Sequence, residues 1–144
     1  SAASDVYKRQ VMRLEEVRDW LKLTIPELEG RIAVGAIDGN QPQYIGVYHS
    51  KNQPKPRICL GGAVQTRYQV AVVSILIHWT NSQPQTEEIA RKVYDAFYGL
   101  AAVQMGDTRV ITASPKQAPI PVGRDQRGIY EYVVEIEIYH ERTD

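Results

Sequence analysis

Two hydrophobic periods run along this chain, and they divide it into helices and strands. Val11 to Leu23 places Leu14, Val17, Trp20 and Leu21 on one stripe at helical spacing, with Glu15, Arg18 and Asp19 outside it. Pro26 disfavours helical geometry at Ile25, so the helix should stop near Thr24. RIAVGAI (Arg31–Ile37) reads as a strand closed by the turn residues Asp38, Gly39 and Asn40, and YIGVYH (Tyr44–His49) reads as its hairpin partner. A polar stretch, SKNQPKP, leads to a short strand RICL (Arg57–Leu60), and Gly61-Gly62 breaks the chain.

Tyr68 to Thr80 is a long apolar segment rich in β-branched residues: Val70, Val72, Val73, Ile75, Ile77 and Thr80. Continuous apolarity of this kind predicts a central strand covered on both faces. NSQPQ is a break, and Thr86–Leu100 is the second helix, with Thr86 as N-cap and Glu87 and Glu88 in its first turn. Ile89, Val93, Ala96, Phe97 and Leu100 form its buried stripe. Thr108–Ala113 is a strand, and the loop SPKQAPIPVGRDQRG (Ser114–Gly128) joins it to the last one.

That last segment, Ile129–Glu141, alternates with period two. Tyr130, Tyr132, Val134, Ile136 and Ile138 fall on the buried face, and Glu131, Val133, Glu135, Glu137 and Tyr139 on the wet one. Its length would be about 43 Å at roughly 3.3 Å per residue, while a domain of this size is roughly 35–40 Å across. The strand is therefore expected to cross the whole domain or to stick out of it. The expected fold is α+β: one domain with a mixed, mainly antiparallel sheet, two long strands and two helices, in the order α-β-β-β-β-α-β-β.

Composition narrows the function. The chain of 144 residues carries 17 Lys+Arg and 17 Asp+Glu, so its net charge is zero, which argues against a dedicated nucleic-acid binder. The single cysteine, Cys59, excludes an internal disulfide and a cysteine-cluster metal site. The most apolar run, VAVVSILIHW, is far short of the roughly 20 residues that span a bilayer, and no membrane association is expected. The first ten residues, SAASDVYKRQ, have no periodicity, and DVYKRQ, reverse-translated with one permitted codon choice, resembles a transposon end used in sequencing adapters. Residues 1–10 are therefore expected to be non-native read-through and residues 11–142 the domain, the alternative being a genuine flexible arm.

The chain shows no phosphate-binding glycine loop, nucleophile elbow or HExxH. His49, His78 and His140 lie in or at the ends of predicted strands and could meet a metal only if the sheet gathered those ends. Glu131, Glu135, Glu137 and Glu141 share a strand face at a spacing of roughly 7 Å, similar to paired glycosidase carboxylates. Without a cleft, solubility and protection against edge pairing explain such a row better. Cys59 reads as a small buried hydrophobe. Tyr44, Tyr48, Tyr130 and Tyr132 could stack bases, although cross-strand packing suits them better. No enzyme activity, cofactor or metal is expected.

The informative features are loops. Ser114–Gly128 carries Pro115, Pro119 and Pro121, which stiffen it, and Ile120 and Val122, which are costly to leave wet. Beside them, Arg124, Asp125 and Arg127 can make charge-assisted bonds across a seam. Lys51 and Lys55, with Arg57, mark a second, more polar candidate surface.

RICLGG (Arg57–Gly62), ILIHWTNSQPQTEEIARKVYDAFYG (Ile75–Gly99) and above all PIPVGRDQRGIYEYVVEIEIYHER (Pro119–Arg142) resemble the minor capsid protein family of tailed phages of Gram-positive bacteria. The layout is similar to the tail terminators and related neck proteins of long-tailed phages. This resemblance covers nearly all of Val11 to Arg142, and no catalytic residue anchors it. It implies a virion protein, assembled in the host cytoplasm, whose subunits form a homo-oligomeric, typically hexameric ring. Its implied partners are the tail tube protein and a head-completion or stopper protein, with at most passive contact with DNA passing through the ring. The other classes are a small ligand-binding or regulatory α+β module, which would show a closed apolar pocket, and an enzyme of unrecognised type.

Overall fold

The computed structural model describes residues 12–35, 40–53, 60–62 and 67–142. The expected read-through at residues 1–10, most of the predicted RICL strand and Lys55 lie outside the described residues. The elements are α1 (Leu14–Thr24), a 3-10 turn (Pro26–Leu28), β1 (Ile32–Val34), β2 (Tyr44–His49), β3 (Tyr68–His78), α2 (Gln83–Phe97), β4 (Leu100–Met105), β5 (Thr108–Pro115), β6 (Ile120–Arg124) and β7 (Tyr130–Glu141). All seven strands form one sheet in the order β1-β2-β3-β7-β5-β4, with β6 also paired to β7. The fold is α+β, as the two hydrophobic periods predict.

The long strands β3 and β7 lie side by side at the centre, antiparallel, from Tyr68↔Glu141 to His78↔Glu131. Their register places Val73, Ile75 and Ile77 on one face with Tyr132, Val134 and Ile136, all buried. Both helices pack on this face. Val17 and Leu21 of α1 and Ile89, Val93 and Phe97 of α2 join the same core, and the Trp20 and Phe97 rings meet at 5.0 Å. The predicted helical stripes and the predicted faces of β7 are therefore those observed, with Tyr130 half-buried.

Among the described residues no helix lies on the other face of β3, which is only partly covered. Val72 and His78 are buried there, while Tyr68, Val70, Ser74 and Leu76 are half-buried. Beyond the end of β2, Gln53 takes over the pairing of β3: its side-chain oxygen accepts from the Val72 N–H at 3.1 Å and its amide donates to the Val72 carbonyl at 2.6 Å. The cover predicted for both faces of this central strand is full on one face from Val73 to Ile77 and partial on the other. The glutamate row of β7 also differs from expectation. β7 is an interior strand, flanked by β3 on one side and by β5 and β6 on the other, so the row guards no edge.

Several boundaries depart from the sequence reading for identifiable reasons. The predicted β1–β2 hairpin is a parallel pair, Ile32↔Ile45 to Val34↔Val47. Gly35, at φ +80°, turns the chain out of β1 while its N–H donates to the Val47 carbonyl. Leu60, the last residue of the predicted RICL strand, is exposed in a turn. α2 begins at Gln83 because Ser82, not Thr86, is its N-cap, accepting from the Gln85 N–H at 3.4 Å, with Pro84 in the first turn. Thr86 is buried, and its hydroxyl donates to the Ser82 carbonyl at 3.0 Å.

Two strands were not predicted. Leu100 ends no helix: it opens β4, an alanine-bearing segment of weak propensity that is held extended by pairing with β5. Ala102 takes φ 55° between the pairs Ala101↔Thr112 and Val103↔Val110, and the register is the same on both sides of it. Within the predicted Ser114–Gly128 loop, β5 continues to Pro115, and β6 pairs with β7 from Ile120↔Val133 to Arg124↔Tyr130. The prolines that suggest a loop are compatible with an outer strand, where one side of the backbone needs no donor.

One buried carboxylate ties the first helix to the far hairpin. Glu16 of α1 is buried, and its Oε1 accepts from the Thr108 hydroxyl at 2.8 Å while its Oε2 accepts from the Asp107 N–H at 2.7 Å. Gly106 closes the β4–β5 turn at φ +57°, and a Cβ there would lie 2.6 Å from Glu16 Oε2. Glu16→Ala should cost about 2–4 kcal/mol, since three bonds to the carboxylate vanish, the third being from the Arg13 N–H at 3.2 Å, and a buried hydroxyl loses its acceptor. Gly106→Ala should cost more than about 1 kcal/mol through the left-handed backbone and the clash. In a double-mutant cycle by urea denaturation, the Gly106→Ala penalty should shrink in the Glu16→Ala background. Strict additivity would show that the two groups do not touch.

His140, buried on the core face of β7, supplies a pH dependence. Its Nδ1–H donates to the Glu141 carbonyl at 3.0 Å, and burial pushes its pKa below the usual imidazole value, outweighing that bond and the charge of Glu16. The unfolded chain then binds a proton that the folded one resists. Stability is complete above the unfolded imidazole pKa of about 6.5 and falls as pH drops below it. His140→Gln should make denaturation midpoints less steeply dependent on pH between about 6.5 and 5. An unchanged slope would remove His140 from this role.

Candidate interaction surface

The residues singled out between Ser114 and Gly128 form the outer strand and tip of the β6–β7 hairpin. Ile120 is half-buried opposite Val133. The register then advances from Pro121↔Tyr132 to Gly123↔Glu131, which leaves Val122 as the extra residue of a bulge, 56% exposed. Gly123, at φ +122°, supplies the backbone conformation that the bulge needs. An apolar side chain is thus thrown outward from a strand rather than from a free loop.

Arg124 follows, exposed, with its guanidinium 5.7 Å from the centre of the Tyr130 ring. Asp125 organises the turn. Its Oδ1 accepts from the Arg127 N–H at 2.8 Å and the Ile129 N–H at 2.9 Å, while its own N–H donates to the Ile129 carbonyl. Gly128, at φ +84°, donates to the Asp125 carbonyl and closes the loop. The bond from the Ile129 N–H above all, then that from Arg127 N–H and the nearby charges of His78 and Arg127, hold the Asp125 carboxyl below its ordinary pKa against the desolvation that opposes them. The Arg127 guanidinium donates to the Asn40 side chain at 2.8 Å, tying the tip to the segment before β2.

Behind the turn lies a cluster that sequence reasoning missed. His78 ends β3 with its side chain 3% exposed, Nδ1 3.2 Å from Glu131 Oε2 and Nε2 3.7 Å from Asp125 Oδ2. The available signal was a histidine closing an apolar strand and an Asp-x-x-Gly turn before its partner strand. Two more glutamates of the helix-free face have donors: Ser50 Oγ to Glu135 at 2.7 Å, and Tyr139 Oη to Glu137 at 2.9 Å.

The other candidates lie apart. Lys51 is exposed in the segment after β2, whose hydrogen bonds run to Val72 and Glu135. The three histidines do not converge: His78 and His140 stand at opposite ends of the β3–β7 ladder, and His49 is exposed at the end of β2. Among the described residues no group of three or more His, Cys, Asp and Glu side chains could hold a metal ion. None of the described helices is long and apolar enough to cross a membrane.

One solved structure aligns over 98% of this chain and 96% of its own with a TM-score of 0.50 and 17% identity, a likeness of fold. No curated protein matches the sequence. The sequence pattern described as bacteriophage tail terminator protein matches residues 15–142, which includes α1 from its second residue, all of α2, the whole sheet and the β6–β7 hairpin. The chain belongs to the bacteriophage tail terminator family, and its structural role is that of a phage virion protein.

Proposed function

We propose that this protein closes the head-proximal end of a phage tail as a homo-oligomeric, typically hexameric ring at the head–tail junction. In this reading it meets the tail tube protein on one side and a head-completion or stopper protein on the other. Family membership over residues 15–142 carries the proposal. The β6–β7 hairpin is its candidate contact with a neighbouring subunit or the tube. It presents Val122 and Arg124 outward and holds them on a strand whose turn is locked by Asp125. A rigid, partly apolar edge bearing cations loses little conformational entropy on docking. Ile120 and Arg127 flank this patch, while Lys51 belongs to a separate surface.

Ring closure can depend on the tube as template, so the parent phage is the informative system. A phage carrying Val122→Asp with Arg124→Glu should produce overlong or headless tails by electron microscopy of lysates. The purified variant should keep the circular dichroism spectrum of the wild type. Normal tails in that phage, with defects only when the gene is disrupted, would move the contact away from the hairpin. Normal-length tails on full heads after complete disruption of the gene would overturn the terminator role itself.

A further inference from the structure

We infer that His78 is a proton-dependent latch on the β6–β7 turn: charged, it grips the turn through two carboxylates, and neutral, it releases one of them. The inference starts from donor counting. His78 is buried, and both of its ring nitrogens face carboxylate oxygens, Nδ1 towards Glu131 at 3.2 Å and Nε2 towards Asp125 at 3.7 Å. Ionised carboxylates only accept, whereas a neutral imidazole carries a single N–H. The neutral ring therefore serves one carboxylate and turns a lone pair to the other. The imidazolium donates to both.

The geometry as it stands is half closed. The His78 Nδ1 contact is within hydrogen-bond distance, while Nε2 is buried with no hydrogen-bond partner. Drawing Asp125 Oδ2 in by less than about 1 Å would complete a charge-assisted bond. That movement reaches the turn directly, because the other oxygen of Asp125 holds the N–H groups of Arg127 and Ile129. The charged and titratable groups around the ring are Glu131 from β7, Asp125 from the turn and Tyr44, its register partner on β2, with the Arg127 guanidinium acting on Asp125. Asp125 is held below its ordinary carboxyl pKa, so it stays ionised through the near-neutral range in which imidazoles change charge. A change in the turn within that range then reports on histidine.

The test uses the purified full chain and needs no virion, so its outcome is independent of the terminator reading. Long-range proton–nitrogen NMR follows the charge of each histidine ring from about pH 5 to about pH 8.5, across the imidazole range. Amide hydrogen exchange, corrected for intrinsic rates, reads protection at Arg127 and Ile129 over the same range. Protection of these two amides should fall about tenfold as His78 loses its proton, with a shared midpoint, while Val134 at mid-ladder stays constant. His78→Gln should abolish that pH response. If that variant does not fold, the wild-type titration decides alone. The latch is overturned by a His78 ring that changes charge without a response in the turn, by one that keeps a single charge state throughout, or by a response that persists in folded His78→Gln.

Discussion

The register of the β3–β7 ladder is the constraint on which the rest depends. Eleven residues of each strand pair antiparallel, and every odd residue of β3 from Val73 to Ile77 meets an even residue of β7 on the helix-covered face. Side chains alternate with period two, so a slip of one residue would exchange Val134 and Ile136 for Glu135 and Glu137 in the core. The apolar set admits one pairing. With that pairing fixed, α1 and α2 have a single apolar surface to cover, and the glutamates fall where Ser50, Tyr139 and His78 can meet them. The same register brings the end of β3 beside the start of β7, which places His78 behind the turn that Asp125 caps.

Segments whose periodicity matched their environment could be read from the sequence; those whose conformation is imposed from outside could not. β3, β7 and both helical stripes carry their own signal in apolar spacing. β4 does not: Leu100 to Val103 offers alanines, and pairing with β5 holds it extended. β6 was hidden by Pro119 and Pro121, which mimic a loop until an outer position in the sheet accommodates them. Thr86 and Ser82 are both good caps in isolation, and Pro84 decides between them by favouring a first turn that starts at Gln83. The parallel β1–β2 pair is set by where β2 docks between β1 and β3, a matter of tertiary geometry that local turn residues do not report.

The candidate surface was partly legible for the same reason. Ile120, Val122 and Arg124 stood out as costly or charged residues without an element to hold them, and the structure supplies that element as a bulged strand. The sequence could not show that Asp125 spends its carboxylate on the turn and on His78, because both partners are set by the ladder. A family built for assembly needs no cleft. In the proposed role it needs surfaces held at fixed positions, and the hairpin braced at its tip is the candidate for one of them.

Cryo-electron microscopy of the head–tail junction in the parent phage tests this account most directly. The account predicts one ring of this fold on the last ring of the tail tube, with the hairpin from Ile120 to Arg127 buried in a contact with a neighbouring subunit or the tube. A junction that lacks this fold, or one in which the hairpin faces bulk solvent on every copy, would contradict it.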